Sequence, residues 1–241
     1  MSGFRSYCPD LAGTKERVAL TTFESHHLVT TNRARNGDVV VAFNGLGLEW
    51  DTLLEKDDRK EAILVRKQTR SHPRPSRQVI LAIALVKGKT FDLILRQATE
   101  LGVIGIQPIE TKRTQIHLKN PEAKVEKWKA QLVEACKQSG NPWLPTIREP
   151  VPLSDFLNDS SGNSSIVASL EDTTTPWNEL RLSESVTLFV GPEGDFSNTE
   201  YDYLRKKGVQ AVSLGSNVLR TETAVTTALS RVFLMELKNA G

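Results

Sequence analysis

Disulfides, membrane spans and metal centres all lack raw material in this sequence. Cys8 and Cys136 are the only cysteines among 241 residues, too few for a disulfide framework, and free thiols fit a cytoplasmic setting. No apolar run approaches the ~20 residues that cross a bilayer, so no membrane association is expected. The opening MSGFRSYCPD has no basic start followed by an apolar stretch, and no secretory leader is expected. His26, His27, His72 and His117 stand at no metal-ligand spacing to either cysteine, so no metal is expected. An excess of one charge is missing too. Lys and Arg number 31 against 29 Asp and Glu, a balance that by itself names no partner.

The common nucleotide and hydrolase signatures are equally absent. LVKGKT ends like a phosphate-binding loop, but Ile83 stands where its first glycine belongs. Gly45 and Gly47 would begin a dinucleotide fingerprint, yet Trp50 replaces the third glycine and no helix pattern follows. No Gly-x-Ser-x-Gly elbow occurs. Cys136 shares a helical stripe with Trp128 and Leu132, which makes it a core thiol rather than a nucleophile.

What is present falls into two patterns. Residues 1–74 carry short strand-like segments, RVALT, DVVVAFNG, LGLEWDTLLE and EAILVRKQ, with a hairpin signal at Asn44-Gly45. A small β-rich domain is expected there. RKQTRSHPRPSR, Arg66 to Arg77, then breaks the pattern with Pro73 and Pro75 and reads as a boundary. It holds no acid, so it is either a solvated linker or a phosphate contact. Over 75–241 strands alternate with helices: QVILAIALV, KTFDLILRQATELG, IGIQPIE, PEAKVEKWKAQLVEACKQSG, SSIVASLE, VTLFVG, AVSLG and ETAVTTALSRVFLMEL. That alternation predicts an α/β domain on a parallel sheet. The last helix carries one apolar stripe through Ala224, Val225, Ala228, Leu229, Val232 and Phe233.

Two strand-to-helix turns stand out. LFVGPEGDFSNTE leaves a buried strand through Gly191-Pro192-Glu193-Gly194 and restarts at a Ser197/Glu200 capping box. Glycines there allow close backbone approach and positive φ. LGSNVLRTETA, Leu214 to Ala224, makes a second such turn. Thr221 or Thr223 could cap the helix that follows. Arg220 is misplaced for capping, because a helix N-terminus favours negative charge. It serves either an ion pair with Glu222 or Glu193, or negative charge on a ligand.

GPEGDFSNTE, LGSNVLRTETA, LVKGKTFDLILRQATELGV and EACKQSGNPWLP together resemble the RsmE family of 16S ribosomal RNA uridine-N3 methyltransferases, of the SPOUT class. The resemblance spans nearly the whole chain. It implies a PUA-like RNA-binding β-barrel over 1–74 and a methyltransferase domain over 75–241 whose parallel sheet is tied in a trefoil knot. It also implies S-adenosyl-L-methionine as cofactor, ribosomal RNA of the small subunit as substrate, and a homodimer. The implied cofactor residues are Leu170, Gly191, Pro192, Glu193, Gly194, Leu214, Gly215, Leu219, Arg220, Thr221, Glu222, Thr223 and Ala224. Arg220 would stabilise charge on the uridine oxygens, and either Glu193 or Glu222 would take the N3 proton. Arg33, Arg66, Arg70, Arg74, Lys87 and Lys89 form the expected RNA-binding set. Three places depart from the family pattern: Thr30-Thr31-Asn32 replace a basic and apolar run, Asn141 a common arginine, and Asp195 a frequent glycine. A non-catalytic RNA-binding or assembly factor on the same fold, or a methyltransferase with another target base, are the competing expectations.

Overall fold

The computed structural model describes residues 3–116, 118–159 and 164–237, so His117 lies outside the described residues. The chain divides into two compact units, Met1–Arg74 with Val133–Leu144 and Pro75–Leu132 with Pro145–Gly241.

The first unit contains β1 (Phe4–Tyr7), β2 (Arg17–Ala19), α1 (Thr22–His26), β3 (Val39–Phe43), β4 (Leu48–Lys56) and β5 (Ile63–Ser71). The strands form one sheet in the order β1-β3-β4-β5-β2, antiparallel except for β1 beside β3. The hairpin between β3 and β4 is held by the Asn44 side chain, whose Oδ1 accepts from the backbone N–H of Leu46 (2.8 Å) and Leu48 (3.1 Å). Leu28, Val40, Trp50, Leu54 and Leu64 are fully buried beneath the sheet. Each such side chain contributes about 1.5–3 kcal/mol on removal from water.

Two features differ from the sequence reading. A short helix interrupts the strands, capped by Thr21 Oγ1 accepting from the Glu24 N–H (3.3 Å), and it runs on into a π-helical turn, His27–Thr31. Five-residue segments show no periodicity, so neither was legible; the Thr30-Thr31-Asn32 departure falls in and just after this turn. The basic run is also not a linker throughout. Its first half is the end of β5, paired with β4 so that Arg66 lies opposite Thr52 and Arg70 opposite Glu49.

The second unit contains β6 (Gln78–Ala84), α2 (Gly88–Glu100), β7 (Gly105–Glu110), most of α3 (Pro121–Ser139), β8 (Thr146–Ile147), β9 (Val151–Pro152), α4 (Leu153–Asp159), β10 (Ser164–Ala168), β11 (Ser185–Val190), α5 (Asn198–Lys206), β12 (Gln210–Val212) and α6 (Thr221–Leu237). All strand pairs are parallel, in the order β12-β10-β11-β6-β7-β8, with β9 also on β7. Central strands of such a sheet are covered on both faces, which is why QVILAIALV lacks alternation. Ala82, Ala84 and Phe189 face Leu157, Tyr201 and Leu204 from α4 and α5. α6 packs on α2 and β11, burying Val225, Ala228, Leu229 and Val232 of the expected stripe.

The end of α3 and the residues after it cluster with the first unit through backbone pairing of Pro142 and Leu144 with the Gly45–Gly47 turn and through a buried ion pair. Lys137, almost fully buried, donates to both carboxylate oxygens of buried Glu24 (3.2 and 3.3 Å) and to Glu134 (2.8 Å). Its ammonium also lies 3.0 Å from His27 Nδ1, which accepts. A buried lysine needs such partners, and removing one costs about 3–5 kcal/mol. Cys136, on the same helix, is a core thiol that burial pushes up to about 12, so it is protonated and inert at neutral pH.

Candidate functional site

In a parallel sheet every strand ends at the same edge, and ligands bind in the crevice where strand order reverses. The chain here runs from β6 outward to β7 and β8, then returns to place β11 on the other side of β6. The turns leaving β10, β11 and β12 share one edge as a result. They meet in a cleft lined by Ser169 and Leu170, by Gly191, Pro192 and Glu193, and by the stretch from Leu214 to Leu219. Thr221 and Ala224 close it from the first turn of α6.

Local chemistry shapes each wall. A side chain at Gly191 would be crowded, since a Cβ would lie 3.2 Å from both Asp195 Oδ1 and the Phe196 ring. The positive φ expected of these glycines belongs to Asp195 instead, at 60°. That geometry explains why glycine is frequent there in the resembling family, and why a short polar residue can replace it. Asp195 is held by Tyr201, whose hydroxyl donates to both carboxylate oxygens at 2.9 Å. Burial raises the Asp195 carboxyl above the usual carboxylate range, with hydrogen bonds from Phe196 and Tyr201 opposing it. The capping box is formed, with the Ser197 N–H donating to Glu200 at 2.8 Å. On the third loop Gly215 has φ 142°, a conformation that favours glycine. Trp177 braces that loop by donating its indole N–H to the Ser213 carbonyl (2.7 Å).

The cleft has an apolar rim. Leu170 is 57% exposed and Val218 75%, large hydrophobic side chains left without cover. Both line the cleft, where a bound ligand would cover them. Of the expected cofactor residues, Gly194 lies on an adjoining cleft, while Arg220, Glu222 and Thr223 are outside the lining. Arg220 is exposed and precedes α6, its carbonyl accepting from Ala224 N (2.8 Å). Among the described residues no salt bridge joins it to Glu222 or Glu193, so the ion-pair alternative finds no contact.

The adjoining cleft, of about 510 Å³, is lined by Lys87, Lys112, Arg113, Gln115, Glu193 and Gly194, among others. Sequence reading missed Lys112, Arg113 and Gln115. The available signal was ETKRTQ following the strand IGIQPIE at the same sheet edge. Lys89 is exposed in the first turn of α2, outside this lining. Arg33 is exposed beyond the π-helical turn, with φ 61°. Arg66, Arg70 and Arg74 are all engaged within the first unit. Arg66 donates to the Gly13 carbonyl and lies over the Trp50 ring. Arg70 pairs with Asp51 (2.8 Å) and Glu49 (3.5 Å), and Arg74 lies over Trp143.

Comparison with known proteins identifies the lineage. Residues 72–233 match the model of an RNA methyltransferase domain, and residues 20–65 that of an RNA methyltransferase PUA domain. Ribosomal RNA small subunit methyltransferase E of Synechocystis sp. is 34% identical over 89% of this chain and 72% of its own. The chain belongs to the ribosomal RNA small subunit methyltransferase E family. The family member from Rickettsia conorii is 30% identical over 87% of this chain and 86% of its own. Among solved structures, a chain from Legionella pneumophila in complex with bound cofactor SAM superposes with a TM-score of 0.91 at 27% identity, covering 98% of both chains. The expected fold class holds in these terms, a PUA domain followed by a parallel-sheet RNA methyltransferase domain. Among the described residues no helix is long and apolar enough to cross a membrane.

Proposed function

We propose that this chain transfers the methyl group of S-adenosylmethionine to N3 of a uridine in the 16S ribosomal RNA of the small subunit. The observation that carries the proposal is the convergence of three strand-end turns on one cleft with an uncovered apolar rim. The residues present fit such a cofactor. Leu170, Val218 and Leu219 offer an apolar slot for an aromatic base, and the Gly191 and Gly215 turns bring backbone donors and acceptors to its edge. Family membership and the SAM-bound Legionella pneumophila neighbour support the same reading.

When bound, the cofactor would supply a methyl group on a positively charged sulfur, and the electron pair of the broken carbon–sulfur bond would stay with the sulfur as a neutral thioether. The protein's part is to position the nucleotide in line with that group, which accounts for much of the rate in such displacements. N3 must also lose its proton as the new bond to carbon forms. Of the two carboxylates considered, Glu193 lies in the lining of both clefts and Glu222 in neither. Glu193 is therefore the proton acceptor in this proposal. Negative charge spreading to the ring oxygens calls for a cation. Arg220 lines neither cleft itself, but it stands between the lining residues Leu219 and Thr221, exposed and without a salt bridge among the described residues, and it takes that role in this proposal.

The cleft encloses only about 60 Å³, well below the ~300 Å³ or more of typical small-molecule sites. A second copy of the chain, giving a homodimer, is the proposed cover, and light scattering at micromolar concentration tests it. The trefoil knot and a cytoplasmic location belong to the same proposal. The deciding experiment is to incubate the protein with S-adenosylmethionine and small subunits from cells lacking the gene, then digest the RNA and identify its nucleosides by mass spectrometry. 3-Methyluridine is expected. Binding without any methylated nucleoside would establish the non-catalytic alternative, and a different methylated base would move the target.

A further inference from the structure

We infer that the cleft bounded by Lys87, Lys112 and Arg113 receives the substrate RNA, gripping a phosphate next to the nucleotide that is methylated. The inference rests on the methyltransferase reading and adds the place from which the substrate arrives. All of its lining comes from the second unit: the connection Leu85–Lys87 between β6 and α2, the turn after β7, and Glu193-Gly194. Its volume of about 510 Å³ is that of a site for a nucleotide-sized ligand.

The charge here is uncommitted. Lys87 and Lys112 are exposed, and neither makes an ion pair among the described residues. Arg113 is held by carbonyl oxygens, donating to Gly194 and to Phe196 (3.1 Å), which orient the guanidinium without neutralising it. Lys87 is also the N-cap of α2 and gives it no side-chain cap, and the first turn of that helix has no acid. A lysine at a helix N-terminus is unfavourable unless an anion is near. An RNA phosphate satisfies both the lysines and the free N–H groups of that turn. Thr114 and Gln115 add polar groups that can meet a base edge.

Placement gives the cleft its role. Glu193 lines both this cleft and the cofactor cleft, and Gly194 continues the wall between them. A nucleotide whose phosphate is held by Lys87 and Lys112 lies on one side of Glu193, with the methyl donor on the other. Arg113 is a positioning residue: its bonds to Gly194 and Phe196 fix the turn that carries Glu193.

The test uses Lys112→Glu in the full chain, an exposed position at which folding is not at risk. Binding of fluorescein-labelled 16S RNA transcript is followed by anisotropy across a salt series, with S-adenosylhomocysteine present. The variant is expected to bind RNA about tenfold more weakly, with the slope of log K against log salt reduced by about one contact. Affinity for S-adenosylhomocysteine should stay within about twofold, because neither Lys112 nor Lys87 lines the cofactor cleft. Lys87→Glu should repeat the pattern, and Lys112→Arg should restore binding. Unchanged RNA affinity in both reversal variants would overturn the inference, as would parallel loss of cofactor affinity. Methylation of the same transcript by the wild type is scored separately. RNA bound through Lys112 but never methylated would sink the methyltransferase reading and leave the cleft an RNA site.

Discussion

Two sets of cations invite comparison. Arg66, Arg70 and Arg74 lie close in sequence in a run without acids, whereas Lys87, Lys112 and Arg113 come from two separate turns. Folding reverses their prominence. The arginines of the run are taken up by Asp51 and Glu49, by the Gly13 carbonyl, and by the rings of Trp50 and Trp143. The scattered trio gathers on one cleft, where Lys87 and Lys112 have no ion pair among the described residues and Arg113 is held by two carbonyls. A basic run therefore measures local composition, while RNA attraction depends on charge left over after folding. The same contrast holds for single residues at helix ends, Lys137 in the last turn of α3 and Arg220 just before α6. Lys137 is buried and triply partnered, whereas Arg220 is exposed and free of salt bridges among the described residues.

The largest expected effect sharpens that last contrast. Arg220→Ala should lower kcat by roughly 100- to 1000-fold, the usual consequence of losing a donor to developing charge. Melting temperature and cofactor affinity should hold, since no structural pair is lost. Arg220→Lys should recover part of the rate, because a point charge lacks the guanidinium fork. A fall in stability with little change in kcat would place Arg220 among the structural cations.

Gly191→Ala comes next. The added Cβ would stand 3.2 Å from Asp195 and Phe196, a crowding that costs about 1–3 kcal/mol. Calorimetric titration should show cofactor affinity weakened by about tenfold or more. Unchanged affinity would mean that the wall of the cleft yields without consequence.

Neutralising Arg66, Arg70 and Arg74 together breaks the comparison directly. RNA affinity should fall by only a few-fold, less than for Lys112→Glu, because these groups are already engaged. Thermal stability should fall more clearly, with buried Glu49 losing one of its partners. The opposite ranking would return RNA capture to the run.

The parallel sheet, its long helices and the two strand-to-helix turns at Gly191–Gly194 and Leu214–Ala224 were legible because each rests on a local pattern, whereas the turn at Leu170 came only with the family resemblance. Continuous apolar runs, 3.6-residue stripes and the Ser197/Glu200 box all lie within a few residues of one another. What escaped had no local signature. The five-residue α1 with its π-helical turn is too short for periodicity, and β8 and β9 are two residues each. Val133–Leu144 joins the first unit through Lys137 and Glu24, groups far apart in sequence. Arg113 acts on carbonyls of a turn equally remote from it. Tertiary pairing of this kind is read only from coordinates.

The smallest effect concerns Asp195. Its carboxyl is raised by burial, so its ionised form is disfavoured in the native state. The stability it contributes is present in full below the ordinary carboxylate range and is lost as pH rises through the raised value. Asp195→Asn does not titrate and still offers Tyr201 an acceptor. The wild type should gain on the variant by about 2 °C or less in Tm as pH falls from neutral into the acid range. A gain in the reverse direction would show the ionised carboxylate to be the stabilising form.

The arrangement of two clefts sharing Glu193 is tested most directly by backbone hydrogen exchange with mass spectrometry, with each ligand added alone to the wild-type chain. S-adenosylhomocysteine should slow exchange in the turns at 169–171, 191–195 and 213–221, leaving 86–90 and 112–116 unchanged. The RNA transcript should slow exchange at 86–90 and 112–116. Protection of all five segments by either ligand alone, or cofactor protection confined to the Lys87–Arg113 cleft, would contradict the assignment of one cleft to the methyl donor and the other to RNA.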